Sequence, residues 1–131
     1  MNLYTQRTFP GPFLNYDVLK SMIESGDFDP EKRDNRDETL VFHACIFAKD
    51  IDSLKLLVEN GFSINVQNIE DMTPLHVACR RRNYDAVSFL MDYGADSFVR
   101  DKYGLTPFDY ALDDVTMTDI LTGFEVKEPD Y

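Results

Sequence analysis

"MTPLHVAC", residues 72–79, opens on a threonine–proline pair and ends on two small residues. Threonine can cap the exposed amides at a helix start, and proline at the first helical position gives up only an amide that has no partner there. The stretch has two counterparts, "ETLVFHAC" (38–45) and "LTPFDYAL" (105–112). Thr39, Thr73 and Thr106 lie 34 and then 33 residues apart, and Ala44, Ala78 and Ala111 keep that spacing. A second set, "SMIESGDF" (21–28), "LLVENGFS" (56–63) and "FLMDYGAD" (89–96), aligns Gly26, Gly61 and Gly94 at 35 and 33. Two landmarks recurring in step mark an internal repeat.

Each unit reads as two short helices. In the middle unit the first runs from about Pro74 to Arg81, with Leu75, Ala78 and Cys79 facing inward. Asn83 can cap the second, in which Val87, Leu90 and Met91 fall on one side, and Gly94 suits the left-handed position that ends it. In the preceding unit Asp50 or Asp52 is the expected cap, Leu54, Leu57 and Val58 pack, and Gly61 stops the helix. "NVQNIEDM" and "VRDKYGLT" read as polar, turn-like connections. Neither helix of a pair can bury its face alone, so the units must stack.

The pattern "MTPLHVAC…FLMDYGAD" resembles the ankyrin repeat, whose signature is a period of about 33 residues with T-P-L-H-x-A. The match is best over 68–100. The repeat at 35–67 has Leu40 and Phe42 where proline and histidine are usual, and the third, 101–123, has Phe108 and Asp109 in place of Leu-His. The resemblance implies an all-α solenoid of stacked helix-turn-helix units joined by short hairpin-like loops. Residues 1–34 read as an irregular N-terminal cap, sealed by Leu3, Tyr4, Phe9, Phe13 or Leu14, and 124–131 as an acidic tail.

Composition bounds the function. The chain has 131 residues, enough for one domain with a modest core. Its opening lacks the apolar centre of a secretory signal, and no apolar run approaches the roughly 18 residues of a membrane helix. A soluble, cytoplasmic protein is expected. Asp and Glu number 24 against 13 Lys and Arg, a formal charge of −11. Such a chain repels nucleic-acid phosphates and is steered towards basic partners, although acidity also serves solubility.

Chemistry is sparse. Cys45 and Cys79 share one inward register position on neighbouring first helices, which pack about 8–10 Å apart, too far for the roughly 7 Å a disulfide allows. His43 and His76 occupy different register positions and no Cys-x-x-Cys pair exists, so a zinc site is not expected. Asp113 and Asp114 diverge as neighbours on a helix would. No phosphate-binding glycine loop or nucleophile triad occurs. The reading is a non-enzyme without catalytic residues, metal or cofactor.

The resemblance also places a binding surface. Ankyrin domains are similar to a cupped hand, with the first helices as palm and the loops as fingers. Counting one, four and eight residues from each threonine, the palm takes Leu40, His43 and Phe47, then Pro74, Val77 and Arg81, then Pro107, Tyr110 and Asp114. His43, aligned with Val77, should face outward. The fingers span 34–38, 68–72 and 101–105, with Asp37, Glu38, Glu70, Asp71, Met72, Asp101 and Tyr103 as candidate contacts and a mostly acidic tip. Phe47 and Tyr110 stand out as aromatic anchors. In the run Arg80-Arg81-Arg82, the first lies along the helix flank, the second at the palm's edge, and the third in the turn, where glycine is usual. The implied function is a protein-binding module that masks or inhibits a protein partner, with a basic one favoured by the charge. A structural subunit or self-associated scaffold is the alternative, and the free chain is expected to be a monomer.

Overall fold

Thr73 and Pro74 start α4 (Pro74–Arg80) as their chemistry requires. The Thr73 hydroxyl accepts from the His76 amide at 3.3 Å, and the Thr73 amide donates to His76 Nδ1 at 3.0 Å, so two exposed helix-start donors are satisfied reciprocally. In this computed structural model the described residues are 16–26, 29–47 and 51–122. They hold six α-helices and no strand: α1 (Tyr16–Glu24), α2 (Leu40–Phe47), α3 (Asp52–Glu59), α4, α5 (Tyr84–Asp92) and α6 (Val115–Thr122), with a 3₁₀ turn at Phe108–Ala111. The fold is an all-α repeat stack. The expected seal of the N-terminal cap and the acidic tail lie outside the described residues.

The helices form two layers. α2, α4 and the 3₁₀ turn pack side by side, while α3 lies on α1 and on α2, α5 on α4, and α6 on α5. α2, "LVFHACIF", is apolar on nearly every side, and its residues 40–45 are buried. Val41, Phe42, Cys45, Leu57, Leu75, Ala78, Cys79, Val87 and Leu90 make one continuous core along the stack. Both cysteines are free and buried there. Burial pushes both thiols up, Cys79 to about 12, so they act as small apolar fillers.

The helix ends follow the glycines. After α5 the Gly94 amide donates to the Met91 carbonyl and the Ala95 amide to that of Leu90, with Gly94 at φ 88°. α4 ends one residue earlier than its pattern suggests, at Arg80, in the same double bond: Arg82 to Cys79 and Asn83 to Ala78. Arg82 thus stands at φ 57° in the position glycine would fill. Asn83 caps α5 through the Ala86 amide, as its chemistry predicts. α3 departs from expectation: Ile51, not Asp50 or Asp52, holds the cap position, and Asp52 is the first helical residue.

The third pair is also shorter than expected. From Thr73 to the next cap, Asn83, is 83 − 73 = 10 residues. From Thr106 to its counterpart, Asp114, is 114 − 106 = 8. With two residues fewer, the first helix tightens into the 3₁₀ turn, and Asp114 caps α6 by accepting from the Met117 amide at 3.1 Å.

Candidate functional site

Three turns line one edge of the stack, and one device builds all of them. Asp34, Asn68 and Asp101, spaced like the threonines, each accept two backbone amides on Oδ1. These come from residues two and four later: Arg36 and Glu38, Glu70 and Met72, Tyr103 and Leu105, all at 2.9–3.0 Å. The fourth position of each turn is left-handed: Asp37 at φ 63°, Asp71 at 62°, Gly104 at 80°. Its carbonyl accepts from the side chain before the turn, from Arg33, Gln67 and Arg100 respectively. Successive turns are joined by Ile69 N–H to the Arg36 carbonyl and Lys102 N–H to that of Glu70.

The other side-chain atom of each anchor ties the turns to the inner helices and to one another. Asp34 Oδ2 accepts from His43 Nε2 at 2.8 Å, and Asp101 Oδ2 accepts a short hydrogen bond from the Tyr110 hydroxyl, nine residues on in both cases. Val77 holds that place in the middle repeat and offers no donor. The Asn68 amide turns instead to Glu38 Oε2 of the preceding turn, at 2.7 Å. Burial acts to raise the Asp101 carboxyl, yet the Tyr110 bond and the two amides outweigh it and hold it below the usual range. Burial, with the Asp101 bond, pushes Tyr110 up to about 12.

Between the first two turns and helices α2 and α4 opens a cleft of about 310 Å³. Ile46, Met72 and Val77 form its apolar part; Asp34, Glu38, His43 and Asn68 form its polar part; Arg36, Arg80 and Arg81 stand around it. Asp34, Glu38 and His43 bring three ligand-type atoms within 4.8 Å of one another. A cation there would have to displace the His43–Asp34 hydrogen bond that holds the first turn.

Further along, His76 Nε2 donates to the Leu105 carbonyl at 2.9 Å, linking the second helix pair to the third; its tautomer follows from Nδ1 accepting the Thr73 amide. Asp109 repeats the local half of this arrangement, accepting from the Thr106 amide at 2.8 Å. In the first pair Phe42 replaces the histidine, and the Thr39 hydroxyl is buried without a hydrogen bond.

A family profile described as ankyrin repeats (many copies) matches residues 57–111. The chain is an ankyrin-repeat protein. It is similar to the E3 ubiquitin-protein ligase KEG of Arabidopsis thaliana, 27% identical over 76% of this chain and 6% of that protein. A putative ankyrin repeat protein of Acanthamoeba polyphaga mimivirus is 27% identical over 69% of this chain and 12% of its own length. The ankyrin repeat and LEM domain-containing protein 1 homolog of Caenorhabditis elegans is 33% identical over 66% of this chain and 12% of its own. The chain therefore spans a small part of these relatives. Ankyrin repeats in general mediate protein–protein interaction.

Within the ankyrin frame, several expected surface contacts are interior. Leu40, Pro74 and Val77 are buried, and His43, expected to face outward, is 7% exposed because the first turn folds back and Asp34 receives its ring. Glu38 is 4% exposed, Met72 1% and Asp101 5%: these close the turns rather than decorate their tips. Asp114 is a helix cap that accepts from Tyr84 at 2.7 Å and lies 3.7 Å from Arg82. The tips are also not mostly acidic, since exposed Arg36, Arg100 and Lys102 accompany exposed Asp37 and Asp71 and half-buried Glu70. Arg81 and Tyr103 are exposed and Tyr110 is half-buried; the side chain of Phe47 lies outside the described residues. Asp34 and Asn68 as turn anchors, and Arg36, Ile46 and Arg80 around the cleft, were not singled out from sequence. The recurrence of Asp34, Asn68 and Asp101 at 34 and 33 was the available signal.

No helix among the described residues is long and apolar enough to cross a membrane.

Proposed function

We propose that this chain is a non-catalytic binding module that lays its turn-and-inner-helix face on a protein partner and masks the surface it covers. The observation that carries the reading is the cleft: it opens where two hydrogen-bonded turns meet α2 and α4, on groups held before any partner arrives. Such a site binds without first ordering loops. The palm is Arg81 with Tyr110, with Phe47 assigned to it by sequence register, and the fingers are Asp37, Glu70, Asp71 and Tyr103. A charge of −11 favours encounter with a basic protein, whose association would weaken with salt. The module acts in the cytoplasm as a monomer, with repeats at 35–67, 68–100 and 101–123 between an N-terminal cap and an acidic tail.

Affinity capture from the native host tests this, comparing the wild-type chain with an Ile69→Asp, Tyr103→Ala variant of unchanged circular dichroism. Both residues are exposed on the fingertips, so the fold should survive and the partner should be lost. Undiminished capture by the variant would remove the assignment, and acidic partners held at high salt would remove the charge argument. A second reading, a subunit of a larger or self-associated assembly, is favoured by Leu112 and Val115, exposed at 63% and 75% on the last helix pair. Light scattering showing a monomer at high concentration counts against self-association.

A further inference from the structure

In this cleft the charges without an ion pair are positive. Its two carboxylates are both engaged. Asp34 accepts from two backbone amides and from His43. Glu38 accepts from Asn68 and lies 3.6 Å from Arg36 Nε. Side-chain exposures of 3% for Asp34 and 5% for Glu38 leave little to offer an incoming cation. The arginines differ. Arg36 is shared with Glu70 at 3.4 Å. The Arg80 guanidinium donates to the Met72 sulfur, at 3.5 Å, and stands 6.0 Å from the Tyr110 ring. Neither Arg80 nor Arg81 makes an ion pair among the described residues, and both are exposed.

We infer that this cleft receives an acidic side chain, aspartate or glutamate, flanked by apolar residues on an extended segment of the protein partner. The inference rests on the binding-face reading above and names the chemistry of its anchor. Charge decides among occupants. Counting histidine as neutral, Arg36, Arg80 and Arg81 against Asp34 and Glu38 leave 3 − 2 = +1 in the lining. A carboxylate cancels that charge. A lysine or arginine adds to it and finds both Asp34 oxygens and Glu38 Oε2 already bonded, which leaves only Glu38 Oε1 on a side chain 5% exposed. A doubly charged phosphate leaves an excess anion beside two buried carboxylates. Ile46, Met72 and Val77 give the flanking apolar residues a seat, and the guanidinium groups offer charge-assisted hydrogen bonds to a carboxylate. A partner that is basic overall can carry this acidic anchor, because long-range charge sets encounter and local charge sets register.

Selection of a random linear-peptide library on the immobilised full chain, followed by fluorescence anisotropy of the best peptide, tests the assignment. Enriched peptides should share an Asp or Glu beside Leu, Ile, Val or Met. Changing that acid to its amide should weaken binding at least about fivefold, and the Arg80→Gln, Arg81→Gln variant should abolish the difference between acid and amide. Enrichment of Lys or Arg at the shared position, tighter binding of a phosphoserine version, equal loss-free binding by the double variant, or no enrichment at all would overturn it. Ile69 and Tyr103 are untouched here, so failure of the acidic anchor leaves the fingertip capture experiment to judge protein binding separately.

Discussion

His76 carries two jobs on one ring, and its protonation state is fixed by both. Nδ1 must stay an acceptor for the Thr73 amide while Nε2 donates to Leu105 of the next repeat, so only the neutral ring serves both. Burial lowers its pKa from 6.5, against the opposing pull of the Leu105 carbonyl and of Asp101. The unfolded chain therefore takes up the proton more readily than the folded one. The stabilisation is complete above about 6.5 and is lost as pH falls from there through the folded value. A histidine titration by NMR should give a His76 midpoint below 6.5 with the Nε2–H tautomer, and the thermal midpoint of the chain should fall between pH 7.5 and 5.5. A midpoint at or above 6.5 would contradict the burial argument. The Thr73–His76 half of this arrangement is local, closed within four residues of one motif. The buried places of His43 and Glu38 were not legible in the sequence, because their partners are set by how a turn folds over a helix.

At the scale of the element, the three helix starts make a graded series. α4 has the full box, the 3₁₀ turn has an aspartate version of it, and α2 has a threonine whose hydroxyl bonds nothing. A cap is worth about 1 kcal/mol where it bonds and nothing where it does not. Thr73→Val should therefore destabilise by about 1–2 kcal/mol, whereas Thr39→Val should be neutral or stabilising, since it removes an unsatisfied buried hydroxyl. Urea denaturation of the two variants checks this, and equal losses would mean that Thr39 caps as well. The sequence periods revealed that three starts exist because threonine, alanine and glycine recur at fixed offsets. They did not reveal that the third would tighten into a 3₁₀ turn, although the two missing residues between Thr106 and Asp114 are visible once the caps are known. The turns were legible as polar connections. That the Asp34, Glu38 and Asp101 side chains are buried was not, since an Asx turn and a solvated acidic loop share one composition.

Across the whole molecule, stability passes from neighbour to neighbour, and Arg82 shows how the second pair holds the third. Its left-handed backbone costs a non-glycine residue roughly 1 kcal/mol. In return its guanidinium donates to the Tyr110 carbonyl at 2.9 Å and to Asp113 at 3.0 Å, while neighbouring Tyr84 bonds Asp114. Asp113 is largely exposed, so that ion pair adds little; the carbonyl bond matters more. Arg82→Ala keeps the strain and loses the bonds, whereas Arg82→Gly relieves the strain while losing them. Because each pair contacts only its neighbours, the alanine variant should speed amide exchange in α6 about tenfold, an opening easier by about 1.4 kcal/mol. Exchange at Leu54 and Leu57 in α3 should hardly change. The glycine variant should fall between alanine and wild type. Uniform acceleration from α3 to α6 would show instead that the stack opens as one unit, and slower exchange in the glycine variant than in wild type would show that strain outweighs the bridge.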